Sequence, residues 1–179
     1  MLYFIRHLKT NVNNENIISG QIDFDILPNQ QIIYDKELKG EEFIVYSSPS
    51  KRCIDTVKKL DEIVSIKDFS IDERLLERNL GVLEGVSKID AQNKYPDFFF
   101  KGRIRVDADI QNAETVEDVV LRIRCFLKSI VEISKHKNIL ICSHNQTLKI
   151  MYALINNIKI TNEYWISFDF ENGRIIKIL

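Results

Sequence analysis

"EFIVYSSPSKRCIDTVKKLDEIV", residues 42–64, decides the class of fold. Its first seven residues cluster aromatic and β-branched side chains and read as a buried strand. Pro49 then suits the first turn of a helix, and Cys53, Val57, Leu60 and Val64 recur every three or four residues along one face of it. The same step from strand to helix recurs on either side. Residues 2–6 are a buried strand, followed by a long loop over 11–30, rich in Asn, Asp and Gly with Pro28 near its end. "KDFSID" (67–72) is a short strand, and "SKIDAQNKY" (87–95) a short helix that ends before Pro96. Residues 97–112 show no clear period. From Thr115 to about Lys135, apolar residues keep helical spacing over about five turns. "NILICS" (138–143) is a buried strand and "NQTLKIMYALINN" (145–157) a helix. "YWISFDF" (164–170), Asn172-Gly173 and "RIIKIL" (174–179) read as a terminal hairpin with a type I′ turn.

Alternating strands and helices predict an α/β fold: three layers, a mainly parallel sheet flanked by helices, and a C-terminal hairpin. No linker, repeat or low-complexity tract interrupts residues 1–179, so a single domain is expected. Such sheets bind ligands at the carboxyl ends of their strands. Arg6 and His7 end the first strand, and His144 ends "NILICS". Arg52 lies on the first turns of the helix after the second strand, and Glu77 follows "KDFSID". His136, the remaining histidine of three, lies in the charged segment "SKHKN" and reads as a surface residue.

Composition narrows the function. Lys plus Arg number 25 against 26 for Asp plus Glu, so no overall basic field draws in nucleic acid or an anionic membrane. Three widely spaced cysteines, Cys53, Cys125 and Cys142, argue for reduced, buried thiols rather than a disulfide scaffold or zinc ribbon. The richest apolar run is broken by polar residues and cannot span a membrane, and no secretory leader is evident, so a cytoplasmic location is expected. His7 and His144 have no Cys, Asp or Glu at ligand spacing, so no metal site is expected, and "LGVLEG" lacks the Lys-Ser/Thr of a P-loop. Two arginines and two histidines around one point would instead make a cationic pocket suited to phosphate oxygens. Taken singly, each of these residues has a blander structural explanation.

Six segments, in order, carry a resemblance. "FIRHLKTNVNNEN" (4–16) resembles the Arg-His-Gly-x-Thr-x-x-Asn opening of the histidine phosphatase superfamily, also called phosphoglycerate mutase-like, through Arg6, His7, Thr10 and Asn13. "SGQID" (19–23) resembles its Thr/Ser-Gly-x-x-Asp piece, and "YSSPSKRCIDT" (46–56) its Ser-Ser-x-x-x-Arg-x-x-x-Thr stretch. "LLERNLGVLEG" (75–85), "NAETVEDVVLRI" (112–123) and "ICSHNQTLK" (141–149) resemble the stretches that hold the family's acid, a helix start and its second histidine.

The resemblance implies that His7 is a nucleophile that forms a phosphohistidine. It also implies that Arg6, Arg52 and His144 hold the phosphate and that Glu77 is the general acid and then the base for water. Asn13, Ser19, Gly20 and Asn145 would contact the substrate, and neither metal nor cofactor is implied. The expected activity is metal-independent hydrolysis of a small phosphorylated metabolite. A mutase-type phosphotransferase, or an inactive member that binds a phospho-ligand or a protein, remain the alternatives. Leu8 stands in place of the family's glycine, Lys9 of a frequent Glu, Ile17 of a frequent Arg and Asn145 of a glycine. Loss of the Ile17 cation tilts the expectation from mutase to hydrolase. "FFFKGRIRV" (98–106) would serve as a cap over the site, a partner patch or core packing.

Overall fold

The computed structural model describes residues 1–179, the side chain of Asn14 excepted. In chain order the elements are β1 (Leu2–Arg6), α1 (Asn11–Asn14), β2 (Glu42–Ser47), α2 (Lys51–Leu60), β3 (Ser65–Ile71), α3 (Lys88–Lys94), β4 (Phe99–Phe100), β5 (Arg103–Ile104), α4 (Val116–Ser134), β6 (Ile139–Ser143), α5 (Asn145–Ile155), α6 (Asn162–Ser167) and β7 (Ile175–Lys177). Five strands form one sheet in the order β3-β2-β6-β1-β7, and β4 with β5 form a separate two-stranded ribbon. β1–β6, β2–β6 and β2–β3 pair in parallel, and only β7 runs antiparallel, against β1.

Strand alternation explains the layers. Leu2, Phe4, Ile139 and Ile141 join Val119, Ile123 and Phe126 of α4 and Leu148 and Met151 of α5 in one core cluster. The intervening Tyr3, Ile5, Leu140 and Cys142 join Cys53, Val57 and Leu60 of α2 in another. β1 and β6 thus carry apolar side chains toward both faces, the pattern of a strand covered on both sides. Full burial of each large apolar side chain stabilises by roughly 1.5–3 kcal/mol before entropy is counted. No helix among the described residues is long and apolar enough to cross a membrane.

The expected C-terminal hairpin does not form. "YWISFDF" begins inside helix α6, where the Thr161 hydroxyl caps the Tyr164 N–H and Trp165 is buried. The aromatic spacing that suggested a strand instead packs Tyr152, Tyr164, Phe168 and Phe170 edge to face. A type I′ turn needs positive φ at both central residues. Gly173 has φ +71°, but Asn172 does not share that region. Two smaller expectations also change. Cys125 is exposed rather than buried. The loop after β1 contains the short helix α1, capped by reciprocal contacts between Thr10 and Asn13.

Candidate active site

β1 and β6 lie side by side and in register, Arg6 opposite Ser143, so the residues after each strand meet at one edge of the sheet. The His7 and His144 rings are 5.2 Å apart between centroids. Both are buried, and their hydrogen bonds fix opposite tautomers. His7 Nδ1 lies 2.7 Å from the Leu8 carbonyl, which can only accept, so the neutral ring carries its proton on Nδ1 and leaves Nε2 with a free lone pair. His144 Nδ1 accepts from Arg52 Nε at 3.2 Å, so its proton sits on Nε2 and is donated to Ser48 Oγ at 2.9 Å. Burial, then the Arg52 and Arg6 charges, hold His7 well below the usual 6.5, against the pull of the Leu8 carbonyl. Burial, Arg52 and His7 do the same to His144. Both rings are neutral at neutral pH.

Arg52 is 1% exposed. Besides His144 it donates to the carbonyls of Gly20 at 2.8 Å and Ile22 at 2.6 Å, and reaches Asp23 at 3.4 Å. Four of the five N–H donors of a guanidinium are thereby engaged, leaving one on Nη2. Arg6 donates through Nη1 to the Phe170 carbonyl at 2.9 Å. Among the described residues its buried Nε has no partner. Burial lowers the Arg6 pKa, against Glu77 and Asp169.

Glu77 sits against the N-terminus of α5. Its Oε1 accepts from the backbone N–H groups of Arg78 and Thr147 and from the Thr147 hydroxyl, and its Oε2 from the Gln146 N–H. A helix N-terminus favours a carboxylate there. Arg122 of α4 holds the segment from outside, donating to the Arg74, Leu76 and Glu77 carbonyls while paired with Glu114. Glu84 ties this segment to residues 19–23: its Oε1 accepts from Gln21 N–H at 2.9 Å and Leu80 N–H at 2.8 Å. A Cβ on Gly20, at φ +48°, would lie 2.0 Å from that oxygen, so only glycine fits.

A cleft of about 140 Å³ opens beside these residues. Arg6, Asn13, Ser19, Gly20, Glu77 and Asn145 line it, whereas His7, Arg52 and His144 do not. Asn13 turns its Oδ1 to Thr10. Asn145 binds Asp169 Oδ1 at 2.7 Å and the Phe170 N–H at 3.0 Å, a second use for the residue that replaces glycine. Ile17 also lines the cleft, as do Phe99, Arg103 and Ile104, so the ribbon within "FFFKGRIRV" roofs it while Phe98, Phe99 and Ile104 also pack on Leu80 and Leu83.

Sequence reasoning passed over four charged lining residues: Lys88, Arg103, Lys149 and Asp169. Asp169 receives Lys149 at 3.0 Å and pairs with Arg103. Burial works to raise its pKa, but Asn145 and Lys149 outweigh it and the net direction is down. Lys88 has no ion-pair partner among the described residues, and burial together with Arg103 lowers its pKa. Lys149 could have been found from the sequence, because it ends the stretch 141–149 that holds His144. The other three read as ordinary surface charges.

Arginines around two neutral imidazoles, at the carboxyl edge of a parallel sheet, are groups suited to an anion. The chain belongs to the histidine phosphatase superfamily (branch 1), whose sequence profile it matches over residues 2–179. It is 28% identical over 173 residues to "Putative phosphoserine phosphatase 2" of Hydrogenobacter thermophilus, covering 94% of this chain and 84% of that one. It is 26% identical over 179 residues to a 2,3-bisphosphoglycerate-dependent phosphoglycerate mutase of Thermoplasma acidophilum, covering 97% and 89%. Bacillus stearothermophilus YhfR shares the fold at a TM-score of 0.75 and 22% identity, over 96% of this chain and 86% of that one.

Proposed function

We propose that this protein hydrolyses a small phosphomonoester through a phosphohistidine on His7. The observation that carries the reading is the Nδ1–H to Leu8 carbonyl bond, because it leaves Nε2 of a neutral imidazole free to attack phosphorus. Arg6, with its unpartnered Nε, and Arg52 neutralise the equatorial oxygens, and His144 accepts from Arg52 Nε and so aligns that guanidinium. Arg52 offers the phosphate the one Nη2 donor that its bonds to His144, Ile22, Asp23 and Gly20 leave free. Glu77 Oε2, with only the Gln146 N–H against it among the described residues, carries a proton into the cycle; Glu77 gives that proton to the leaving oxygen and takes one back from the attacking water. Asn13, Ser19, Gly20 and Asn145 contact the ester.

The small volume of the cleft, about 140 Å³, favours a small phosphoester group. Lys88 and Arg103 favour an ester with a second anionic group, such as a carboxylate. They also supply cations that the sequence, judged by Ile17 alone, seemed to lack. That observation favours a second reading, phosphoryl transfer between positions of a bisphosphorylated intermediate. Phosphate release from a panel of phosphorylated hydroxy acids, amino acids and sugars, with EDTA present and His7→Ala as control, tests the proposal. Hydrolysis that persists in EDTA and vanishes in His7→Ala supports it. Strict dependence on added metal ion would contradict it, and isomerisation without net phosphate release would favour the second reading.

A further inference from the structure

Leu8 fills the place of a glycine directly after His7, and the peptides on both sides of it are gripped. Its side chain is 1% exposed and reaches the C-terminal turn, where its Cδ2 would lie 2.6 Å from a Cβ on Gly173. The peptide joining His7 to Leu8 is held from two directions. Asn172 Nδ2 donates to the His7 carbonyl at 2.7 Å, and the Leu8 N–H donates to Thr56 Oγ1 at 2.9 Å. On the other side of Leu8, the Lys9 N–H donates to Gln30 Oε1 at 2.9 Å. The Gly173 N–H donates to the Arg6 carbonyl at 2.8 Å, which seats the turn against the end of β1 and brings the Asn172 amide within reach.

These contacts hold the two peptides that flank Leu8, and the carbonyl of the second, Leu8 C=O, accepts from His7 Nδ1. Its direction depends on the two peptide planes that flank Leu8. Asn172 is half-buried and Gly173 buried, and the Asn172 amide is aimed back at the strand end. A direct hydrogen bond to the residue whose ring must be oriented is a more specific arrangement than a turn staple.

We infer that Asn172, seated by Gly173 against Leu8, is a positioning residue for His7: it fixes the His7–Leu8 peptide so that the Leu8 carbonyl holds the proton on Nδ1. The kinetic consequence rests on the proposed hydrolase reading, whereas the tautomer consequence does not. Asn172 touches neither the phosphorus nor the leaving group. Removing it releases one hold on the His7–Leu8 peptide, lets the imidazole sample other tautomers and orientations, and slows attack by roughly tenfold, the scale of one lost neutral hydrogen bond.

The test uses Asn172→Ala and Asn172→Asp in the full chain, with Glu171→Gln on the same turn as control. Nitrogen-15 NMR of the histidines, with His7 assigned by loss in His7→Ala, reads the tautomer without reference to activity. Single-turnover burst kinetics with p-nitrophenyl phosphate separate the attack rate from substrate affinity. In both Asn172 variants the Nδ1–H signature of His7 should weaken and the burst rate fall roughly tenfold, with little change in substrate affinity. Glu171→Gln should match the wild type. An unchanged His7 signature in Asn172→Ala overturns the inference. So does a change confined to Asn172→Asp, which would trace to a new charge beside Arg6. If either variant fails to fold, Asn172→Ser, which keeps a small polar side chain in the turn, decides by the same signature. A shifted tautomer in a protein that never forms a phosphoenzyme would sustain the positioning role and remove the hydrolase reading.

Discussion

The carboxyl ends of β1 and β6 each present a buried histidine in a cationic setting, and the two are wired in opposite senses. At β1 a backbone carbonyl takes the Nδ1 proton of His7 and leaves Nε2 as a base. At β6 the Arg52 guanidinium takes the Nδ1 lone pair of His144, which makes its Nε2 a donor toward Ser48. Residue type and position in the sheet do not separate these roles. The hydrogen-bond partner of Nδ1 does.

Substitution should break the pair unequally. On the proposed mechanism His7→Ala removes the atom that takes the phosphoryl group, and it should lower kcat on the order of 10⁴-fold or more. His144→Ala removes the acceptor that aligns Arg52 Nε and should cost roughly 10²-fold, the scale of a misplaced clamp. Matched losses in steady-state assays would erase the distinction.

Glu77 sharpens the contrast from the leaving-group side. Glu77→Gln should cost roughly 10²–10⁴-fold on an alkyl phosphate, whose leaving alkoxide needs a proton. On p-nitrophenyl phosphate the loss should be clearly smaller. Arg52→Ala should slow both esters by comparable factors. Equal losses from Glu77→Gln, with chemistry limiting, would assign the proton to another carboxylate such as Glu84 or Glu114.

The pH dependence is a smaller effect. Both imidazoles titrate well below 6.5 in the fold and near 6.5 when unfolded. Between those values the unfolded chain binds more protons, so stability is complete above pH 6.5 and falls as the pH drops below it. Denaturant melts from pH 7.5 to 5 should show that decline, and His144→Gln should flatten it. The smallest expected change is Ser48→Ala, which removes the acceptor of His144 Nε2–H and should cost about 1 kcal/mol in the same melts.

The sequence made the parallel sheet legible because β1, β2 and β6 are continuous apolar runs bounded by polar residues. It also made Arg6, His7, Arg52, Glu77 and His144 legible as one set, since strand ends in a parallel sheet share an edge. The aromatic run at 164–170 misled. Alternation there fits a strand equally well, and the Thr161 cap that favours α6 is weak evidence without the buried Trp165. Lys88, Arg103 and Asp169 were invisible for a different reason. They converge only after α3, the β4–β5 ribbon and the segment after α6 fold over the cleft, and no local pattern marks that event. The cleft itself also leaves His7, Arg52 and His144 outside its lining, a relation that spacing cannot express.

The most direct test of the wiring is to trap the phosphoenzyme. After rapid mixing with phosphorus-labelled p-nitrophenyl phosphate and alkaline quenching, the label should sit on Nε2 of His7, survive in base and be lost in acid. His144→Ala should still acquire it, more slowly. Label on His144, on Nδ1 of His7, or on any peptide in His7→Ala would contradict the assignment of the free lone pair to His7 Nε2.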